Sequence, residues 1–338
     1  MNPSATVLCC KEMRIMLSAG DFAKKQIVFV FFHQGEKLSF SNDNMVVRTA
    51  DGAVKFQCTC YRLFLVFAIG YGSVTSGLIQ RAKKFGFSIV MMTQGMRTYQ
   101  IIGNALEGNT LLRKAQYGYS SLDLAKHITE NKIYNQKQQL RNMRVKHELQ
   151  REAVKKLEEY LPQVQTAQSL HELMGYEGSA ARVYFPAYFN NIPWQRRAPR
   201  TKCDMVNSAL DIGYTMLFSF VEAILNCFGF DTYCGVMHTN FYMRKSLVCD
   251  LVEPFRVLID AQVKKAIHLR QCREEDFLVD NGRYLLKWEK NPAYISWLAQ
   301  PIMENKEALF LYIQAYYRAF MKHKPAEQYP VFRIGEPL

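Results

Sequence analysis

The segment HTNFYMRKSLVCDLVEPFR, residues 238–256, puts one histidine and two acids into a short stretch. Imidazole and carboxylate are donors that suit Mn²⁺ and Mg²⁺, so His238, Asp250 and Glu253 raise the question of a catalytic metal site. Asp250 and Glu253 are three residues apart and share a face if the segment is helical. Leu247, Leu251, Phe255 and Leu258 would be the buried stripe of that helix, and Pro254 removes an amide hydrogen and can bend it. A solvated acidic edge would explain the two acids equally well. His238 taken alone reads as a satisfied or exposed histidine as readily as a ligand. A third acid, Glu177, stands between glycines in HELMGYEGSAARVYFPAYF, residues 171–189. The pattern places it at the N-terminal end of the stripe Ala180, Ala181, Tyr184 and Tyr188. There a carboxylate can serve the helix dipole or point into a cleft as a ligand.

These side chains depend on the elements that carry them. Four short stretches rich in β-branched and aromatic residues read as strands: QIVFVFFH (26–33), EKLSFS (36–41), NMVVRT (44–49) and AVKFQC (53–58). The turn signals HQGE, SNDN and ADG divide them. LFLVFAI (63–69) is apolar throughout, as a strand buried on both faces would be. SGLIQRAKKFG (76–86) reads as a helix ending at Gly86, and FSIVMMT (87–93) and RTYQIIG (97–103) return to strand. From Thr110 to about Lys324 the apolar spacing turns helical, with stripes at Leu122, Ala125, Ile128 and Ile133 and at Val154, Leu157 and Leu161. Pro162, Gly175, Pro193, Pro199, Gly229 and Pro292 punctuate it. Strands followed by helices predict an α+β multidomain chain. The expected parts are a small N-terminal β domain with one helix (14–103), a linker (104–109) and a larger all-α C-terminal catalytic domain (110–324). Residues 1–13 and 325–338 are expected to be flexible tails.

Composition narrows the partners. The 338 residues carry 43 Lys and Arg against 30 Asp and Glu, an excess of 13 positive charges. That balance favours a polyanion, nucleic acid first and an anionic membrane surface second. The longest uncharged run, LFLVFAIGYGSVTSGLIQ (63–80), is broken by glycines and hydroxyl residues. It reads as a strand and a helix start, not a membrane span. MNPSATVLCCKEM has no long apolar stretch, so no secretory signal is expected. Nine scattered cysteines contain no CxxC pair, which argues against zinc, and their odd number suits a reduced, cytoplasmic protein.

Three motifs in order, GYEGSAARVYF, VNSALDIGYTML (206–217) and GVMHTNFYMRKSLVCDLVEPFR (235–256), resemble the CRISPR-associated adaptation integrases, the Cas one family. The strands and GLIQRAKKFGFSIVMM resemble its N-terminal half, so the likeness runs over roughly residues 14 to 324. The resemblance implies an endonuclease and integrase that inserts short foreign DNA into a repeat array, a DNA 3′-hydroxyl attacking a phosphodiester. It implies Glu177, His238 and Glu253 as ligands of Mg²⁺ or Mn²⁺, with Asp250 as a further acid of the site. It also implies a homodimer joined through the β domain. A small partner, Cas two, is expected, and a nuclease that trims the donor DNA is a further expected companion.

Around these ligands, Arg182, Asn207 and Tyr214 are candidates to position phosphate or ligands, although Asn207 would tie helices together and Tyr214 would pack in the core just as well. Tyr188 could stack on DNA, with aromatic packing the plainer reading. WQRRAPRTK (194–202) offers Arg196, Arg197, Arg200 and Lys202 as a phosphate track for double-stranded DNA. Arg244 and Lys245, in YMRKS, stand beside His238 in sequence and are expected to meet phosphates near the metal. A non-catalytic module holding branched or duplex DNA is the competing reading. A transposase-type site of three carboxylates fits less well, because these candidates lie in helical segments and include a histidine.

Overall fold

The computed structural model describes residues 19–192, 194–238 and 242–336. The expected tail at 1–13 lies outside them. A short helix, α1 (Ala19–Ala23), leads into eight strands: β1 (Gln26–Phe31), β2 (Lys37–Ser41), β3 (Asn44–Arg48), β4 (Val54–Thr59), β5 (Leu63–Ile69), β6 (Ser73–Val74), β7 (Ser88–Met92) and β8 (Thr98–Gly103). They make two four-stranded sheets, ordered β1-β5-β7-β8 and β4-β3-β2-β6. In the first, β1, β5 and β7 are parallel and β8 is antiparallel to β7. In the second, β2 turns into β3 through Asn42 and Asp43, whose φ values of 46° and 58° fit a two-residue hairpin turn. The parallel β5–β7 pair needs a crossover, and α2 (Ser76–Phe85) supplies it. The one helix expected among the strands is this crossover. Gly86 closes α2 at φ 73°, as its sequence position predicts.

β5 shows why an unbroken apolar run is needed at this place. Leu65, Phe67 and Ile69 join a core shared with the helical region, while Val66 and Ala68 join a second core with Leu38 and Leu78. Both faces are covered, so neither can be polar.

The helices are α3 (Thr110–Gly118), α4 (Asp123–Arg141), α5 (Glu148–Thr166), α6 (Leu170–Tyr188), α7 (Met205–Phe228), α8 (Ser246–Val252), α9 (Arg256–His268), α10 (Asn291–Glu304) and α11 (Lys306–Met321). α4 is buried on most sides and packs against α5 and α6. α7 crosses α9 and α10 closely at Gly213, where an added Cβ would lie 2.5 Å from Ile259 and 2.9 Å from Leu298. Gly175 and Pro162 do not end helices; they lie inside α6 and α5. Pro193 lies outside the described residues.

Two expectations are corrected. The helical region is not all-α: β9 (Phe277–Asp280) and β10 (Arg283–Leu286) form a hairpin. Its turn is Asn281-Gly282, with φ values of 49° and 73°. Asn-Gly is the strongest short-range signal for such a turn, and the helical texture around it masked it. The segment 325–336 is no loose tail. Tyr329 and Phe332 are buried, and α4 amides bond its backbone, Asn131 Nδ2 to Phe332 O at 2.6 Å and Asn135 Oδ1 accepting Ile334 N at 3.0 Å. Residues 104–109 connect β8 to α3 and are tied to the end of α7, through Leu106 N to Asn226 O and Asn109 Nδ2 to Phe228 O.

Candidate metal centre

Glu177 sits two turns inside α6, because Ser169 caps that helix by accepting Glu172 N at 3.2 Å. The dipole reading needs a first-turn acid and does not apply. Its carboxylate instead meets Lys132 of α4, which donates to Oε1. The same ammonium lies 2.6 Å from Oε2 of Glu253. Two of the three expected ligands therefore converge on one cation.

Glu253 occupies a tight 3₁₀ turn, Glu253–Phe255, between α8 and α9, where Pro254 makes the bend the sequence predicts. It is 4% exposed, so it is no solvated edge. Arg256 Nη2 holds its Oε1 at 3.0 Å. Burial pushes this carboxyl up, but the charges of Arg256 and Lys132 outweigh burial and hold it at about 2. His238 also acts to lower it, as the smallest of these effects. Lys132 is desolvated as well, yet the two glutamates raise it above the ordinary lysine value.

Asp250 is fully buried and does something different from Glu253. Its Oδ2 accepts the amides of Val236 at 2.6 Å and Met237 at 3.1 Å. Its Oδ1 accepts the His238 amide at 3.0 Å and Nδ1 of the His238 ring at 2.6 Å. A carboxylate on Nδ1 fixes the tautomer that leaves the lone pair on Nε2, the nitrogen a metal would take. Asp250 thus orients a ligand and pins the loop carrying it. Gly235 is required beside it, since a Cβ there would lie 2.7 Å from Asp250 Oδ2.

Among the described residues no three His, Cys, Asp or Glu side chains already converge as a metal set. The residues nevertheless fit a divalent ion. Glu177 and Glu253 already share one cation, and Glu253 Oε2 is buried in ionic contact with it while lacking a directed hydrogen bond. Two oxygens and an imidazole nitrogen are the donor chemistry of Mn²⁺, and of Mg²⁺ less closely.

The supporting candidates divide. Tyr214 donates to Asp260 and has two guanidinium groups near its ring, Arg197 at 5.3 Å and Arg256 at 4.7 Å from its centre. Tyr184 also donates to Asp260, at 3.1 Å. Burial raises the Asp260 carboxyl to about 6, although both tyrosine bonds oppose it. Asn207 is wholly buried in a knot: its Oδ1 accepts Arg197 at 2.7 Å and Ala198 N at 2.9 Å, and its Nδ2 reaches Arg196 O at 2.9 Å. Tyr188 is packed, its hydroxyl taking Gln139 Nε2 at 2.8 Å and its ring stacked on Tyr184.

The basic residues divide too. Arg197 is committed to Asn207 and to Asp211 at 2.6 Å. Arg196, Arg200 and Arg182 are exposed; Lys202 is half-buried and reaches Gly95 O. Lys245 is bound to the buried Glu222, and Arg244 is half-buried against Cys249, so neither stands free as expected. Lys132, Arg256, Asp260 and Glu222 were not singled out as site residues from the sequence. Lys132 had a signal: it falls four after Ile128 and seven after Ala125, on the buried stripe of α4, where an unpaired lysine would be costly.

A family model described as "CRISPR associated protein Cas1" matches residues 29–299. The chain is 30% identical over 254 residues to "CRISPR-associated endonuclease Cas1 1" of Thermodesulfovibrio yellowstonii, covering 70% of this chain and 80% of that one. It is similar in fold to a chain of a "Cas6-RT-Cas1--Cas2 complex", with TM-score 0.79, 20% identity, and coverage of 93% of this chain and 36% of that one. A "Casposase bound to integration product" gives TM-score 0.76 at 18% identity, covering 93% and 96%.

Proposed function

This chain belongs to the Cas1 family of CRISPR-associated proteins, and from that membership we propose that it is a metal-dependent DNA integrase with endonuclease activity, inserting short foreign DNA into a repeat array. The observation that carries this reading is the convergence of Glu177 and Glu253 on one buried cation, together with a His238 ring fixed by Asp250. Glu177, Glu253 and Nε2 of His238 would hold Mg²⁺ or Mn²⁺. Bound there, the ion supplies positive charge for the phosphate oxygens and lowers the pKa of the attacking or leaving hydroxyl. The chain's own residues do the rest. Asp250 keeps the proton on Nδ1 of His238, and Arg256 keeps Glu253 ionised. In the reaction a DNA 3′-hydroxyl attacks a target phosphodiester; one P–O bond forms, another breaks, and a 3′-hydroxyl leaves.

Double-stranded DNA is the substrate class, with Arg196 and Arg200 its most available phosphate contacts. A Cas2 partner is supported by the fold shared with a chain from a complex that contains one. A homodimer formed through the β region is supported by the outer strand β4, which leaves Val54 and Phe56 exposed. A donor-trimming nuclease and a cytoplasmic location complete the reading.

A non-catalytic DNA-binding module is favoured by one observation, the ammonium of Lys132 between the two acids. A strand-transfer assay on branched DNA with Mn²⁺ separates the two. The integrase reading predicts joined product from the parent and at least about a hundredfold less from Glu177→Ala with DNA binding kept. Equal product from both contradicts the site, and DNA binding without product in the parent favours the module.

A further inference from the structure

The oxygens of Glu253 are both taken. Arg256 holds Oε1 at 3.0 Å, and Lys132 lies 2.6 Å from Oε2. Lys132 also donates to Glu177, whose side chain is the more exposed of the two acids. The four side chains sum to zero charge, two cations against two anions. Without the ammonium, two carboxylates would face each other in a largely buried setting, where like charges resist joint ionisation.

A divalent ion bound by both glutamates needs an oxygen of Glu253, so one of its present partners has to yield. Arg256 is the firmer of the two, since its guanidinium also lies 4.7 Å over the Tyr214 ring. Lys132 is shared with Glu177, the more exposed acid, so its flexible ammonium can leave Oε2 and remain near a carboxylate. The α4 backbone is not free to carry the lysine away. Asn135, one turn further on, bonds Pro254 O at 3.1 Å and Phe332 O at 2.9 Å, locking α4 to the Glu253 turn. Exchange must therefore be a side-chain movement.

We propose that Lys132 is a resident cation that holds Glu177 and Glu253 together before the divalent ion arrives and gives up its place between them when the ion binds. The proposal rests on the metal-site reading above. It makes metal affinity the outcome of an exchange: the ion gains two carboxylates already in place and displaces an ammonium to reach them. An intruding ion that cannot displace the ammonium leaves the site inert.

The test is Mn²⁺ titration of the full-length protein, followed by electron paramagnetic resonance, for the parent, Lys132→Met, Lys132→Gln and Glu177→Gln. Removing the resident cation should tighten Mn²⁺ binding by about tenfold or more. It should also lower the melting temperature in EDTA, with Mn²⁺ restoring it. Binding that is unchanged or weaker in folded Lys132 variants overturns the exchange and leaves the metal site standing. No Mn²⁺ site in the parent, or Glu177→Gln binding like the parent, overturns the metal-site reading and this proposal with it. Crystals of the parent grown with Mg²⁺ give a test that no variant's folding can spoil. Lys132 Nζ should have left Glu253 Oε2, and its persistence between the two acids overturns the proposal.

Discussion

His238 and Asp250 form a closed unit: one carboxylate oxygen accepts both the backbone amide and ring Nδ1 of the same histidine, at 3.0 and 2.6 Å. The acid thereby sets the position and the tautomer of the ring together. Asp250→Asn keeps the shape but puts an amide where an acceptor is needed. Mn²⁺ affinity should fall about 10- to 100-fold, the range for losing such a supporting partner. Calorimetric titration checks it. Unchanged affinity would mean that Asp250 only braces the loop.

The basic loop should split by role. Arg197 is bound inside the protein to Asn207 and Asp211, whereas Arg196 and Arg200 are exposed. Arg197→Ala should cost about 2–4 kcal/mol of stability by leaving Asp211 without its counter-charge. Arg196→Ala and Arg200→Ala should leave stability almost unchanged, weaken duplex binding, and each reduce the salt slope by about one. Urea unfolding and salt-dependent binding, run on all three variants, separate the two roles.

Asp260 gives a signed pH effect. Burial lifts it to about 6 from the ordinary 3.8. The folded protein therefore binds a proton between about pH 6 and pH 4 that the unfolded chain does not. This group adds stability as pH falls through that window, about 3 kcal/mol in full. Glu253, held at about 2 against 4.5, acts oppositely, and its contribution is lost only as pH falls below 4.5. The stability of the parent minus that of Asp260→Asn should rise between about pH 7.5 and pH 5. Parallel urea midpoints across that range would contradict it.

The C-terminal segment should behave as core. Phe332 is 2% exposed, with its ring centre 4.3 Å from that of Phe255, next to the Glu253 turn. Phe332→Ala should cost about 3–5 kcal/mol. Denaturant unfolding checks it, and a loss under 1 kcal/mol would restore the flexible-tail expectation.

The readable parts of the sequence were those with local signals. β5 announced itself by seven apolar residues, Gly86 by its place after α2, and Pro254 by its bend. Glu177, His238 and Glu253 stand out through ordered motifs, because spacing within a motif survives folding as spacing along an element. What stayed hidden was pairing at a distance. Nothing local ties Lys132 to Glu177, 45 positions on, or Lys245 to Glu222. Cations counted for DNA, such as Arg197, turned out to be neutralised by acids that only the fold brings near. The tail was missed for the same reason, since its partners Asn131 and Asn135 lie some 200 residues upstream.

The central claim is that Glu177, Glu253 and His238 hold one divalent ion. Anomalous diffraction from crystals grown with Mn²⁺ tests it most directly. A single peak bonded to both carboxylates and to Nε2 of His238 is the predicted result. A peak elsewhere, or no peak with Lys132 still between the two acids, would contradict it.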